Sequence, residues 1–154
     1  MQQLDSLNQV AEFHKTFKHP ILETPTIPSE ERSRLRVALL AEELKELEVA
    51  ILEKDIVEIA DALCDLQYVL SGAVLEFGLG EKFRALFDEV QRSNMSKACL
   101  TVEEAEATVA HYEAKGTDCY YKEDNGKYLV YRKADDKTLK NINYSPADLA
   151  SILN

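Results

Sequence analysis

The sequence predicts an all-α fold: an antiparallel four-helix bundle, followed by a C-terminal extension that adds one more helix and a small β-hairpin. Three observations carry this. Apolar residues recur at helical spacing through the segments before residue 97, short connections marked by Pro or Gly separate those segments, and the strand-like residues gather around one Asn-Gly pair at 125–126.

The first helix is expected over residues 4–18, with Leu7, Val10, Phe13, His14 and Phe17 on one side, and it ends before Pro20. Pro20, Pro25 and Pro28 stiffen the surface connection that follows, and Ser29 offers a start for a long helix to about residue 54. A third helix runs over 55–77, where Gly78 and Gly80 punctuate its end. The fourth covers 81–96, with Phe83, Leu86, Phe87 and Val90 inside. Thr101 and Glu104 make a capping box for a helix that Gly116 stops. Two strands, Tyr120 to Asp124 and Lys127 to Arg132, flank the turn, and Ser145 to Asp148 cap a last short helix ending in Ile152 and Leu153. Residues 1–99 are read as the helical core and 100–154 as an extension packed on the same domain.

A length of 154 residues with 45% hydrophobic and 30% charged side chains suits one globular domain. The net charge of −10 argues against a nucleic-acid polymer as partner, because such binding relies on Lys and Arg neutralising many phosphates. No apolar run approaches membrane-spanning length and the start MQQLDSLNQV lacks the apolar core of a signal peptide, so a cytoplasmic protein without a membrane partner is expected. Cys64, Cys99 and Cys119 form no CxxC pair and suit reduced thiols, with Cys64 a small core residue.

The chemistry is concentrated in carboxylates on the second and third helices. At about 100° per residue, Glu43 and Glu46 share a face with Leu39, Leu40, Leu47 and Ala50, so they are expected to point inward. Glu58, Asp61 and Asp65 follow i, i+3, i+7 spacing on a helix that is apolar nearly all round, which also suggests burial against another copy of the chain. No Lys or Arg occurs between Asp55 and Glu81, so no local ion pair neutralises them. An uncompensated buried carboxylate costs several kcal/mol, so the cluster is expected to hold cations. Oxygen ligands without His or Cys favour Mg²⁺ or Mn²⁺ over Zn²⁺.

The strings RLRVALLAEELKELE, VEIADALCDLQYVLSGAVLEFGL and FDEVQRSNMSK, with DDKTLKNINYSPADL further on, resemble the all-α nucleoside triphosphate pyrophosphohydrolase superfamily. That superfamily includes MazG, dimeric dUTPases and phosphoribosyl-ATP pyrophosphohydrolase. The resemblance implies a MazG-like bundle, a homodimer or homotetramer, and Mg²⁺- or Mn²⁺-dependent hydrolysis of an NTP or dNTP to monophosphate and pyrophosphate. Glu42-Glu43-Leu44-Lys45-Glu46 is similar to the first metal motif, EExxE. The second stays open between two registers: Glu58-Ile59-Ala60-Asp61 matches ExxD literally, whereas Asp65-Leu66-Gln67-Tyr68-Val69 better matches the Asp-plus-aromatic string of dUTPase-like members, with Ala62 where Glu is expected.

By the same resemblance Glu42 is a candidate to orient or deprotonate the attacking water, and Arg92, Asn94 and Lys97 suit the phosphate tail. Lys137 and Lys140 in DDKTLK are weaker candidates for that role, and Phe13, His14 and Phe17 are candidates for one wall of a base pocket. Two rivals stand beside a dNTP pyrophosphohydrolase such as one acting on dUTP. One is a phosphoribosyl-ATP pyrophosphohydrolase; the other, of a different class, is a metal-stabilised helical scaffold or sensor without turnover.

Overall fold

A computed structural model describes residues 4–154. Among the described residues there are six helices and one two-stranded antiparallel sheet, so the chain is mostly helical. It forms two compact units, Met1–Arg84 and Ala85–Asn154.

The first unit contains α1 (Ser6–Phe17), α2 (Glu30–Glu53) and α3 (Ile56–Glu76), and α4 (Phe83–Met95) begins at its end. The helix starts follow from the caps. Ser29 Oγ accepts the Arg32 N–H at 3.3 Å, and the Asp55 carboxylate accepts those of Val57 and Glu58 at 2.9 and 3.3 Å. Lys18 and Lys54 end α1 and α2 in the left-handed conformation, so a tight turn folds α3 back along α2. The proline-rich connection is tied to the end of α3 by Leu22 N–H to Leu75 O and Thr26 N–H to Phe77 O, both 3.0 Å. Gly78 is needed there, because at φ +66° an added Cβ would stand 1.9 Å from Thr24 O.

The buried apolar residues of this unit, Val10, Ala50, Ala62, Val74 and Leu75, are mostly small. Several side chains expected inside are not. Phe17 is exposed, Phe13 lies at the edge of exposure, and Cys64 is an exposed thiol rather than a core residue. On α4 only Leu86 and Ser93 are buried, while Phe87 and Val90 are exposed. The physical reason on α2 and α3 is that their apolar stripes are wider than one layer of neighbours covers: Leu44, Ile51 and Leu52 on α2, and Ile56, Val57 and Leu63 on α3, all remain more than half exposed.

The second unit holds α4 from Ala85 on, α5 (Val102–Glu113), β1 (Cys119–Asp124), β2 (Lys127–Arg132) and α6 (Ala150–Leu153). The capping box forms one residue out of the usual frame. Thr101 Oγ1 accepts the Glu104 N–H at 3.2 Å, whereas the Glu104 carboxylate accepts from Leu100 at 2.7 Å. Asn125 and Gly126 both have positive φ, 52° and 75°, which pairs Asp124 with Lys127 and Cys119 with Arg132 in the register the two-residue turn dictates. Cys99, Ala105, Cys119, Val130 and Leu139 form the core beneath the hairpin.

Candidate active site

The carboxylates on α2 and α3 come together, though not as an inward-facing set. Glu42, Glu46, Glu58 and Asp61 are exposed and only Glu43 and Asp65 are half-buried, so the expectation that the cluster points into the core is corrected to a position open to solvent. The reason is the same uncovered α2–α3 face: Leu40 and Leu47 on that stripe are themselves only half-buried. Partial burial, then Asp65, Glu46, Glu42 and Asp61 in that order, hold the Glu43 carboxyl above the usual carboxylate range. Among the described residues none of these carboxylates is ion-paired with Lys, Arg or His. No three His, Cys, Asp or Glu side chains among the described residues converge into a ready coordination shell. The donor set nonetheless fits a hard divalent ion: it is all oxygen, unpaired and self-repelling.

The neighbours of this cluster follow from the antiparallel course of α2 and α3. An added Cβ on Gly72 would stand 2.8 Å from Arg36 Nη1; one turn on, Leu39 shares a cavity wall with Tyr68 and Val69; a further turn brings Glu43 into the field of Asp65 and Asp61. At 1.5 Å rise per residue each step is about 5–6 Å. A cavity of about 390 Å³ thus adjoins the acidic cluster within the first unit.

That cavity has aromatic and cationic walls. Phe13 stacks on His19 at 5.7 Å and 13°, and meets Tyr68 edge-on at 5.6 Å. Phe13 and His14 line the cavity as the sequence suggested, while Phe17 supports Phe13 from behind at 4.4 Å. Beneath lies a group that sequence reasoning missed: Glu76, 1% exposed, accepts hydrogen bonds from both Arg32 and Arg36, with Arg32 Nε at 3.1 Å from Oε2. Burial alone would push the Glu76 carboxyl up, but the hydrogen bonds from Arg36 and Arg32 outweigh it and hold it below the usual range. Burial also lowers the His14 imidazole below its ordinary value, against the raising effect of its bond to Pro20 O at 2.9 Å. The signal was a Glu closing the uncharged stretch 66–75 of α3, with Arg32 and Arg36 four residues apart in α2.

The proposed phosphate contacts all lie in the second unit. Lys97 Nζ donates to Asn94 Oδ1 at 2.8 Å, so these two meet on one side of the last turn of α4. Arg92 is otherwise engaged. Its guanidinium donates twice to Glu89 at 2.7 Å, to Ser145 Oγ at 2.9 Å and to Pro146 O at 3.0 Å. With the Arg92 bond first and the Asp148 N–H second, Glu89 is held down at about 2. Lys137 and Lys140 are exposed, the latter lying 4.3 Å above the Tyr144 ring.

A helical chain with paired, unneutralised carboxylates beside an aromatic cavity defines a candidate hydrolase of phosphorylated ligands. The sequence matches the family model of phosphoribosyl-ATP pyrophosphohydrolase over residues 10–94, and the chain belongs to that family. It is a family of pyrophosphohydrolases, enzymes acting on phosphoric anhydrides, within the MazG-like superfamily that the motifs resemble. The chain is also 34% identical over 74 residues to an uncharacterized protein of Acanthamoeba polyphaga mimivirus. That match covers 44% of this chain and 30% of the viral protein, so the chain spans under a third of the relative's length. No helix among the described residues is long and apolar enough to cross a membrane.

Proposed function

We propose that this chain is a metal-dependent nucleoside triphosphate pyrophosphohydrolase of nucleotide-pool housekeeping, converting a (deoxy)nucleoside triphosphate such as dUTP to monophosphate and pyrophosphate in the cytoplasm. The observation that carries this is the antiparallel register that brings Glu43 of α2, with Glu46 one turn on, into the field of Asp65 and Asp61 of α3 without a cationic partner among the described residues. In this reading Glu43, Glu46, Asp61 and Asp65 hold Mg²⁺ or Mn²⁺, and Glu58 is the alternative ligand one turn before Asp61. A divalent ion bound there supplies Lewis acidity and lowers the pKa of a bound water. Glu42, exposed and about 100° round the helix from Glu43, orients that water or takes its proton.

The aromatic cavity of Phe13, His19 and Tyr68 takes the base, since flat apolar walls favour a stacked ring. Asn94 and Lys97 take the phosphate tail, with Lys140 and Lys137 as further cations; Arg92 has fewer donors to offer because Glu89, Ser145 and Pro146 already accept from it. Residues 1–99 form the catalytic four-helix core and 100–154 its extension.

The uncovered apolar face of α2 and α3 supports a homodimer or homotetramer, because contiguous exposed aliphatic side chains on a soluble helix pair are costly to leave in water.

The matched family's own description favours a second substrate, phosphoribosyl-ATP. The long extension and the RSNMSK string support the nucleotide-pool reading instead. Incubation with phosphoribosyl-ATP and a panel of NTPs and dNTPs, with Mg²⁺ or Mn²⁺ and pyrophosphate detection, tests both. Turnover confined to phosphoribosyl-ATP overturns the first, and ion binding without turnover of any substrate makes the chain a metal-stabilised scaffold.

A further inference from the structure

The floor of the aromatic cavity has hydrogen-bond donors left over. Glu76 Oε1 accepts from Arg32 Nη2 and from Arg36 Nη2, and Oε2 accepts from Arg32 Nε at 3.1 Å. Two guanidinium groups thus share one carboxylate, and both of its oxygens are taken. Arg32 engages two of its three nitrogens there and is partly exposed, whereas Arg36 is 7% exposed and engages only Nη2. Its Nε has no hydrogen-bond partner among the described residues. Nη1 lies over Gly72, also without one, in space that an added Cβ 2.8 Å away would fill.

Buried N–H groups are nearly always matched, because a donor taken out of water with no acceptor in its place is unfavourable. Arg36 lines the cavity, so a bound molecule can supply the acceptor that the protein does not. The polar groups nearby leave this bias in place. His14 Nδ1 donates to Pro20 O at 2.9 Å, which makes Nε2 an acceptor, but His14 is 2% exposed and that atom shares the space over Gly72 with Arg36 Nη1. His19 and Tyr68 on the walls can each donate or accept, so neither selects.

The direction of a bound nucleotide follows from α2. Arg36 and Glu43 are seven residues apart, about 10 Å along the helix, and Leu39 of the cavity wall stands between them. Phosphates held at the Glu43 end leave the edge of the base farthest from the sugar towards Arg36. That edge carries the C4 substituent of a pyrimidine or the C6 substituent of a purine. The substituent is a carbonyl acceptor in uracil, thymine, guanine and hypoxanthine, and an amino donor in cytosine and adenine.

We infer that Arg36 is a specificity-determining residue: its unmatched N–H groups donate to a carbonyl at the far edge of the base, so the site selects keto bases over amino bases of the same size. This rests on the reading above, in which the cavity takes the base and the carboxylates hold the metal-bound phosphates. An amino group in that place sets donor against donor and leaves both unmatched, beside a floor where two guanidinium groups face one carboxylate. Glu76, by accepting from Nη2, holds the Arg36 guanidinium at the cavity end.

The test is kcat/KM of the full chain in Mg²⁺ for pairs that differ at that position, dUTP against dCTP and dITP against dATP. Wild type is expected to favour the keto member of each pair that it hydrolyses by at least about tenfold, the scale of one hydrogen bond from a charged donor. Arg36→Met leaves Glu76 paired with Arg32 and is expected to narrow the dUTP preference to about threefold or less, through loss of dUTP turnover. Arg36→Lys keeps a charged donor and is expected to retain part of the preference. Calorimetric binding of dUMP and dCMP reads the same selectivity without turnover. Equal or inverted preference in wild type overturns the inference whether or not Arg36→Met folds, and a folded Arg36→Met with the wild-type ratio overturns it as well. Triphosphate turnover without a keto preference defeats this inference alone. An Arg36-dependent preference for dUMP over dCMP with no triphosphate turnover defeats the pyrophosphohydrolase reading alone, and absence of both binding and turnover defeats the two together.

Discussion

Arg36 on α2 and Glu76 on α3, forty residues apart, form a buried ion pair at the inner end of the aromatic cavity, and Arg36 Nε beside it has no hydrogen-bond partner among the described residues. Arg32 binds the same carboxylate, so one Glu answers two guanidinium groups. Removing that Glu leaves charge buried without a partner. Glu76→Ala is expected to destabilise the fold by about 3–5 kcal/mol in chemical denaturation. Gly72→Ala, whose Cβ would crowd Arg36 Nη1 at 2.8 Å and His14 Nε2 at 3.0 Å, is expected to cost about 1–3 kcal/mol.

The same pair sets an acid limit. The folded Glu76 carboxyl titrates below its ordinary 4.5, so its contribution is fully present above that value and is lost as pH falls through the folded pKa. Thermal melts below pH 4.5 are expected to drop more steeply for wild type than for Glu76→Gln. Parallel curves would remove Glu76 from the account of acid unfolding.

Glu43 works with the opposite sign. Its folded pKa is raised, so its ionised form weighs against the metal-free fold at neutral pH and is relieved as pH falls through that raised value towards 4.5. Glu43→Gln is expected to match or exceed wild-type thermal stability without metal, and to lose the stabilisation that Mg²⁺ gives wild type. A variant less stable than wild type in chelator would show that Glu43 supports the fold directly.

Activity tests one proposed ligand from each motif. Glu46→Ala and Asp61→Ala are each expected to lower kcat/KM by at least about a hundredfold, because losing a ligand misplaces the ion that activates water. Full activity in both would move the site to Asp65 or elsewhere.

The helices, their caps and the hairpin turn were legible because Ser29, Asp55, Thr101 and Asn125-Gly126 act locally, through bonds to neighbouring backbone or through their own φ. The family was legible from the same local strings, and its model match over 10–94 agrees with them. Burial was not. Helical angles place Glu43 and Glu46 on the apolar stripe, but whether a stripe is covered depends on what packs there, and in this chain Leu40 and Leu47 on that stripe stay only half-buried. Glu76 was missed for the converse reason, since its partners Arg32 and Arg36 lie forty or more residues away.

The uncovered stripe makes a claim on assembly. Light scattering at micromolar concentration is expected to give a dimer or tetramer of the 17.4 kDa chain, and Leu52→Lys with Ile56→Lys is expected to shift it towards monomer. A stable wild-type monomer would refute the assembly.

Hydrolysis between the α- and β-phosphates by carboxylate-held metal is read out by ³¹P NMR of a triphosphate reaction in Mg²⁺. Monophosphate and pyrophosphate are expected in equal amounts as the first products, with no reaction in chelator or in Glu46→Ala. Diphosphate and orthophosphate as first products, or undiminished reaction in chelator, would contradict it.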